Sequence, residues 1–269
     1  MLIKLSFLLL TLSLIPKASG CEFKKHVTKI FSLSGPMTVA LKHLGLLNKS
    51  RVHGISVFNP ISKEDFKGKR YPGGVFISQG TFAEFGGGIV FFDESRELSR
   101  ILSPMSSIQG IELKTRGLVP GEVTSYLIKH LEPIVDNCNK ELAGFINTTK
   151  KEEDKLLSLF PKSKFVVYFL GEYRQGNPPE MIMVNDGIVK WLIEKGKIKT
   201  YPSPLAYVNW SAKVMKTLPN DVEKIAVKDS AENMVKSKRI DDDHLNFIYP
   251  GSLVPGISQL EAWNYLMSP

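Results

Sequence analysis

Residues 27–45 read VTKIFSLSGPMTVALKHLG. Val27 to Leu33 is short, apolar and rich in β-branched residues, which predicts a strand. Ser34-Gly35-Pro36 turns the chain. Met37 to Leu44 then carries apolar residues at helical spacing, and Gly45 supplies the stop. Arg51 to Val57 reads as the next strand. A strand–helix–strand opening predicts a parallel pair joined by a right-handed crossover.

The same grammar continues outward. Asn59 to Gly74 is polar, basic and glycine-containing, and reads as loop. Thr81 to Phe85 reads as a short helix stopped by the tight turn Gly86-Gly87-Gly88. Ile89 to Phe92 is a strongly apolar strand candidate, Glu94 to Leu102 a helix, and Ile108 to Leu113 a strand. Residues 119–160 form the longest mostly helical stretch, with a kink or break suggested at Pro133 and at Thr148-Thr149. Beyond it come a strand at Phe165 to Leu170, a loop at Gly171 to Pro179, and a helix from Ile182 or Asn185 to Lys195. Val208 to Leu218 is expected to be helical. Lys224 to Val227 and Leu245 to Ile248 are expected to be strands, and Ile257 to Leu266 a closing helix. Strands and helices alternate on both sides of one helical region, which predicts an α/β fold in two lobes. The expected division is residues 21–118, a helical connector at 119–160, and residues 161–269.

Residues 1–20 read as a signal peptide. Lys4 lies in a positive n-region, Leu5 to Ile15 is apolar, and Ala18-Ser19-Gly20 offers a small-residue cleavage site. Export leaves two fates for Cys21. It could carry a lipid, since Ala18-Ser19-Gly20-Cys21 resembles a bacterial lipobox with Ala at the usual Leu position. It could instead pair with Cys138 in an oxidising compartment. Both stay open at this point.

The chain has 269 residues, 43% of them apolar and 10% aromatic, which excludes global disorder. Its formal charge of +8 comes from lysines spread among acids rather than from a basic track, which argues against a nucleic-acid partner. No G-x-S-x-G elbow, P-loop or H-E-x-x-H pattern is present. The histidines at 26, 43, 53, 130 and 244 are scattered. His43 and His53 with an acid are the one zinc combination worth naming, against the simpler reading as packing residues. Asp241-Asp242-Asp243 reads as a solvated loop or helix start. The chain is therefore expected to be non-catalytic, with no resident metal or cofactor.

The opening unit resembles that of the helical-backbone (class III) periplasmic solute-binding proteins, the class that includes cobalamin, iron-siderophore and haem binders of ABC importers. Further marks follow in order. Tyr71-Pro72-Gly73-Gly74 and Phe82-Ala83-Glu84 resemble the family's glycine pair and acidic helix, and Ile89 to Asp93 a strand leading to its ligand loop. Lys164 to Phe169, Asn185 to Gly196, Tyr207-Val208-Asn209 through Pro219-Asn220-Asp221, and Pro255-Gly256 resemble successive parts of its C-lobe. The likeness runs over most of residues 24–267.

The resemblance implies two Rossmann-like lobes joined by a long connecting helix, with a ligand cleft between them. It implies a periplasmic protein, soluble or lipid-anchored through Cys21, that hands a corrinoid, haem or ferric-siderophore ligand to an ABC importer permease. Glu84 stands where the N-lobe docking glutamate is expected, whereas the C-lobe position carries Ser211 or Ala212 in place of an acid. That departure keeps an envelope sensor or scaffold as the alternative. The expected ligand contacts are Ser34 and Gly35 behind the first strand and Tyr71, Phe82 and Phe85 near the glycine turns. From the C-lobe they are Tyr173, Arg174, Tyr207 and Trp210. Arg174 would pair with a carboxylate or phosphate.

Overall fold

The computed structural model describes residues 20–57, 59–71, 77–173, 181–211, 214, 216–228, 245–248 and 254–268. The chain opens with β1 (Glu22–Phe23), β2 (Ile30–Ser32), helix α1 (Gly35–His43) and β3 (Val52–Ser56). Strands β2 and β3 pair in parallel, as the strand–helix–strand pattern requires. Then come β4 (Lys69–Tyr71), α2 (Gln79–Phe85), β5 (Gly88–Asp93), α3 (Arg96–Leu102) and β6 (Ile108–Leu113). Together they build a five-stranded parallel sheet in the order β4-β3-β2-β5-β6.

Parallel sheets are covered on both faces, so their strands are apolar on both sides. In β5, Ile89 and Phe91 face one core, packed with Met37, Leu41, Leu127 and Leu131. Val90 and Phe92 face the other, packed with Phe82, Phe85, Leu98 and Leu102. The Gly86-Gly87-Gly88 turn between α2 and β5 is fixed by backbone geometry. Gly86 ends α2 at φ +76. Gly88 sits at φ +129, where a Cβ would stand 2.5 Å from the Lys29 carbonyl oxygen.

Residues 119–160 hold two helices, α4 (Pro120–Leu131) and α5 (Asn139–Leu159), with β7 (Val135–Asp136) between them. The break falls at Pro133, as expected. No break occurs at Thr148-Thr149: α5 runs through both, and their hydroxyls donate back along it to the carbonyls of Gly144 and Phe145 at 2.9 and 3.0 Å. Strand β7 pairs antiparallel with β1, and Cys21 beside β1 forms a disulfide with Cys138 beside β7. Of the two expected fates of Cys21, the structure takes the disulfide, and a sulfur so engaged has no valence for a thioether-linked lipid. Helix α5 is the long connector, about 30 Å at 1.5 Å per residue. Its first half contributes Leu142 and Phe145 to the N-lobe core, and its end contributes Leu156 to the C-lobe core.

The C-lobe contains β8 (Lys164–Tyr173), β9 (Met181–Met183), α6 (Gly187–Glu194), β10 (Ile198–Lys199), β11 (Tyr207–Asn209), β12 (Glu223–Lys228), β13 (Leu245–Ile248) and α7 (Ile257–Met267). Its sheet runs β11-β9-β8-β12-β13, with β10 also on β8. It is mixed, since β9 is antiparallel to both β8 and β11. Val166 and Tyr168 enter one core with Trp191 and Trp263, while Val167 and Phe169 enter the other with Ile182 and Val184. Helix α7 packs on α5, α4 and α1, so the chain's last helix crosses back onto the connector and the N-lobe.

Two sequence expectations are corrected. Lys69–Tyr71, expected to be loop, is an edge strand, where one open side accepts polar residues. Val208 and Asn209, expected to begin a helix, belong with Tyr207 to the edge strand of the other sheet, set by pairing with β9 rather than by local spacing. Among the described residues no helix is long and apolar enough to cross a membrane, and no three metal-ligating side chains converge. His43 stacks on Phe145, and His53 Nε2 lies 3.0 Å from the Tyr71 hydroxyl, so both act as packing residues.

Candidate ligand-binding site

A cavity of about 410 Å³ lies between the lobes. The N-lobe supplies Asp93 and Glu94 at the end of β5, Leu113 at the end of β6, and residues 115–118 after it. The C-lobe supplies Met181 and Met183 from β9, Asp186 and Gly187 at the start of α6, and Tyr207 from β11. Pro255, just before α7, and Gln259 in its first turn close it. The N-lobe contribution lies at the carboxyl ends of parallel strands, where open α/β sheets bind ligands. The volume falls within the usual range for a small-molecule site, and half of the lining residues are polar or charged.

Asp93 is open to the cavity but has protein on most sides. The Ser34 hydroxyl donates to its Oδ1 at 2.6 Å and the Gly35 N–H to its Oδ2 at 3.3 Å. Ser34 Oγ also accepts from Met37 N–H as the N-cap of α1. Loss of hydration raises the Asp93 carboxyl above its usual range, opposed by the Ser34 and Gly35 hydrogen bonds and by the Arg116 charge. Asp186 does the matching task for α6. Its Oδ1 accepts from Gly187 N–H at 2.7 Å and its Oδ2 accepts from the Tyr207 hydroxyl. Burial and the bond to Asp186 both push the Tyr207 phenol up, so it remains a protonated donor at neutral pH.

The N-termini of α1 and α6 are thus each occupied by a carboxylate of the chain itself, whereas α7, which also begins at the cavity, has Gly256 as its N-cap and no side-chain cap. A helix N-terminus is a common anion site, but those of α1 and α6 are filled in cis. Arg116, exposed in the cavity wall, makes no ion pair among the described residues. It is the one arginine of the described lining. Next to it, Gly117 takes φ +82, and a Cβ there would stand 3.7 Å from Asp186 Oδ1. That distance measures how closely the N-lobe loop approaches the C-lobe.

The sequence-expected site residues divide by position. Tyr207 lines the cavity, and Ser34 and Gly35 reach it through Asp93. Tyr71, Phe82 and Phe85 do not line it. They are buried around Phe31 in the N-lobe core, with ring centroids 4.6, 6.0 and 5.8 Å from it. Glycine turns close by do not bring these rings to the cleft, because α2 covers the far face of the sheet. Trp210 packs edge-on against Phe169 at 5.1 Å. Tyr173 is the last residue of β8, and Arg174 lies outside the described residues. Glu84 is well exposed on α2, 3.6 Å from Lys69. Ser211 accepts from Val214 N–H, and no acid stands in its place.

Asp93, Arg116, Met181, Met183, Asp186 and Gln259 were not anticipated. One signal was available for Asp93, an acid directly after four apolar residues of a parallel strand. Asp186-Gly187 before an apolar helix is an N-cap signal.

The comparisons with known proteins agree with this architecture. The periplasmic haem-binding protein HutB of Vibrio cholerae superposes with a TM-score of 0.68 at 12% identity, over 89% of this chain and 97% of that one. The periplasmic haem-binding protein RhuT of Roseiflexus sp. RS-1 gives 0.66 at 13%, over 90% and 97%. DesE, a ferric-siderophore receptor protein of Streptomyces coelicolor, gives 0.61 at 9%, over 91% and 93%. The chain has the class III periplasmic solute-binding fold. No protein-family model matches the chain, and no curated protein matches it in sequence. At these identities the likeness concerns the fold.

Proposed function

We propose that the chain is an exported, non-catalytic solute-binding protein that captures a medium-sized metal-chelate ligand in the interlobe cavity and delivers it to an ABC importer. The ligand classes in view are ferric siderophores, haem and corrinoids. The observation that carries this reading is the cavity itself, which draws its walls from both lobes and from α7, so that a ligand in it would bridge them. The fold's relatives include haem and ferric-siderophore binders, which supports the same ligand classes. Exposed Glu84 is the N-lobe docking residue of this proposal, and the C-lobe contact to the permease uses no acid at Ser211.

Tryptophan fluorescence titration with the three ligand classes tests the reading. At least one should bind with 1:1 stoichiometry. Met181→Trp, which places an indole in the cavity from a side chain already 38% exposed, should weaken that binding at least tenfold while leaving the circular dichroism spectrum intact. Binding that Met181→Trp leaves unchanged would place the ligand elsewhere.

A further inference from the structure

We infer that Thr115 and Gln259 form a hydrogen-bonding subsite at one corner of the interlobe cavity, which takes an acceptor oxygen of the ligand, of the carbonyl or carboxylate kind. The subsite rests on the solute-binding reading above and adds to it the side chains and the ligand group that meet.

Both residues line the cavity, and both are almost fully buried, at 4% and 2% exposure. Neither side chain makes a hydrogen bond among the described residues. Buried polar side chains are rarely left so, because the hydrogen bond lost from water is not replaced. Asp186, the third buried polar residue of the described lining, shows the usual arrangement. Its two oxygens accept from the Gly187 N–H and from the Tyr207 hydroxyl.

Thr115 and Gln259 come from different parts of the fold and reach the same corner. Thr115 lies in the N-lobe loop after β6, and two residues on, a Cβ at Gly117 would stand 3.7 Å from Asp186 Oδ1. Gln259 lies in the first turn of α7, and a Cβ at Gly187 would stand 3.5 Å from its Oε1 and 3.8 Å from its Nε2. Asp186 and Gly187 therefore stand between the two. The Thr115 hydroxyl and the Gln259 Nε2 are neutral donors. Helix α7 begins after Gly256 with no side-chain cap, so the positive end of its dipole also favours an acceptor here. A ligand oxygen at this corner supplies the missing partner, and the free chain bears the cost of its absence until the ligand binds.

That cost gives the test two readouts. Thr115→Val and Gln259→Met keep the side-chain size and remove the polar atoms. Each should hold or raise the Tm of the empty chain, since it takes an unpaired polar group out of a buried position. Each should also weaken binding at least tenfold in a fluorescence titration of the full mature chain, and Thr115→Ser, which keeps the hydroxyl, should bind close to the wild type. The probes are haem, whose free oxygens are carboxylates, and cyanocobalamin and a linear ferric tris-hydroxamate with amide spacers, which carry carbonyl oxygens. A loss seen with haem assigns a carboxylate to the corner, and a loss seen with either of the others a carbonyl. A Tm that falls by several degrees would make these side chains structural and overturn the subsite. So would variants that keep their Tm and bind as the wild type does. Either result leaves the solute-binding reading intact. Failure of all three probes to bind the wild type would overturn both readings.

Discussion

Phe85 is fully buried, with its ring 5.8 Å from Phe31 and 5.3 Å from the His53 ring. Truncating it removes apolar burial and leaves a cavity, so Phe85→Ala should cost about 3–5 kcal/mol in urea unfolding. Ligand affinity of the fraction that stays folded should be unchanged, because the ring does not reach the cleft. Asp93 gives a pH signature. Loss of hydration holds its carboxyl above the ordinary value of 3.8, so the folded chain binds this proton more tightly than the unfolded chain. The stability gained from this group is fully present below about 3.8 and is lost as pH rises through the raised value. The unfolding free energy of the wild type relative to Asp93→Asn should therefore fall as pH rises from about 3.8 toward neutral. A difference that rises over the same range would contradict the assignment. At this scale the sequence showed least. Tyr207 was visible as an aromatic in the C-lobe, but Arg116 and Met181 carry no local pattern. They become a site only when two chain segments some 65 residues apart meet across the cleft.

Most elements were legible from apolar runs and their stops. Residues 108–113 and 245–248 form strands with the expected bounds although both lie at sheet edges, because each run is marked off by apolar residues at its two ends, Ile108 and Leu113, Leu245 and Ile248. The edge strands Lys69–Tyr71 and Tyr207–Asn209 were not legible, since each is only three residues long and is set by the strand it pairs with. The pairing of β1 with β7 was hidden for the same reason, although its cysteines were not. The Cys21–Cys138 disulfide closes a loop with a sequence separation of 117 and ties the first strand to the segment between α4 and α5. Its reduction should lower stability by about 2–5 kcal/mol, seen as a drop in Tm when thermal unfolding is repeated with a reductant. An unchanged Tm would mean that β1 and β7 are held without it.

At the scale of the molecule, two lobes share one rigid rod. Helix α5 feeds both cores, and α7 packs on α5, α4 and α1 while lending Gln259 in its first turn to the cleft, beside Pro255 just ahead of it. Asn264 of α7 donates to the carbonyl and the carboxylate of Glu152 at 2.9 and 2.7 Å, which pins the two helices together. A connector of this kind resists hinge bending more than a pair of extended strands would, so capture should proceed with little closure. The central claim is that the interlobe cavity holds a metal chelate. It is tested most directly by native mass spectrometry of the mature chain isolated from its own host envelope, with ultraviolet–visible absorption on the same sample. The account predicts one retained metal chelate per chain, with the matching absorption band. An empty chain that stays empty after incubation with ferric hydroxamate, ferric catecholate, haem and corrinoid would contradict it.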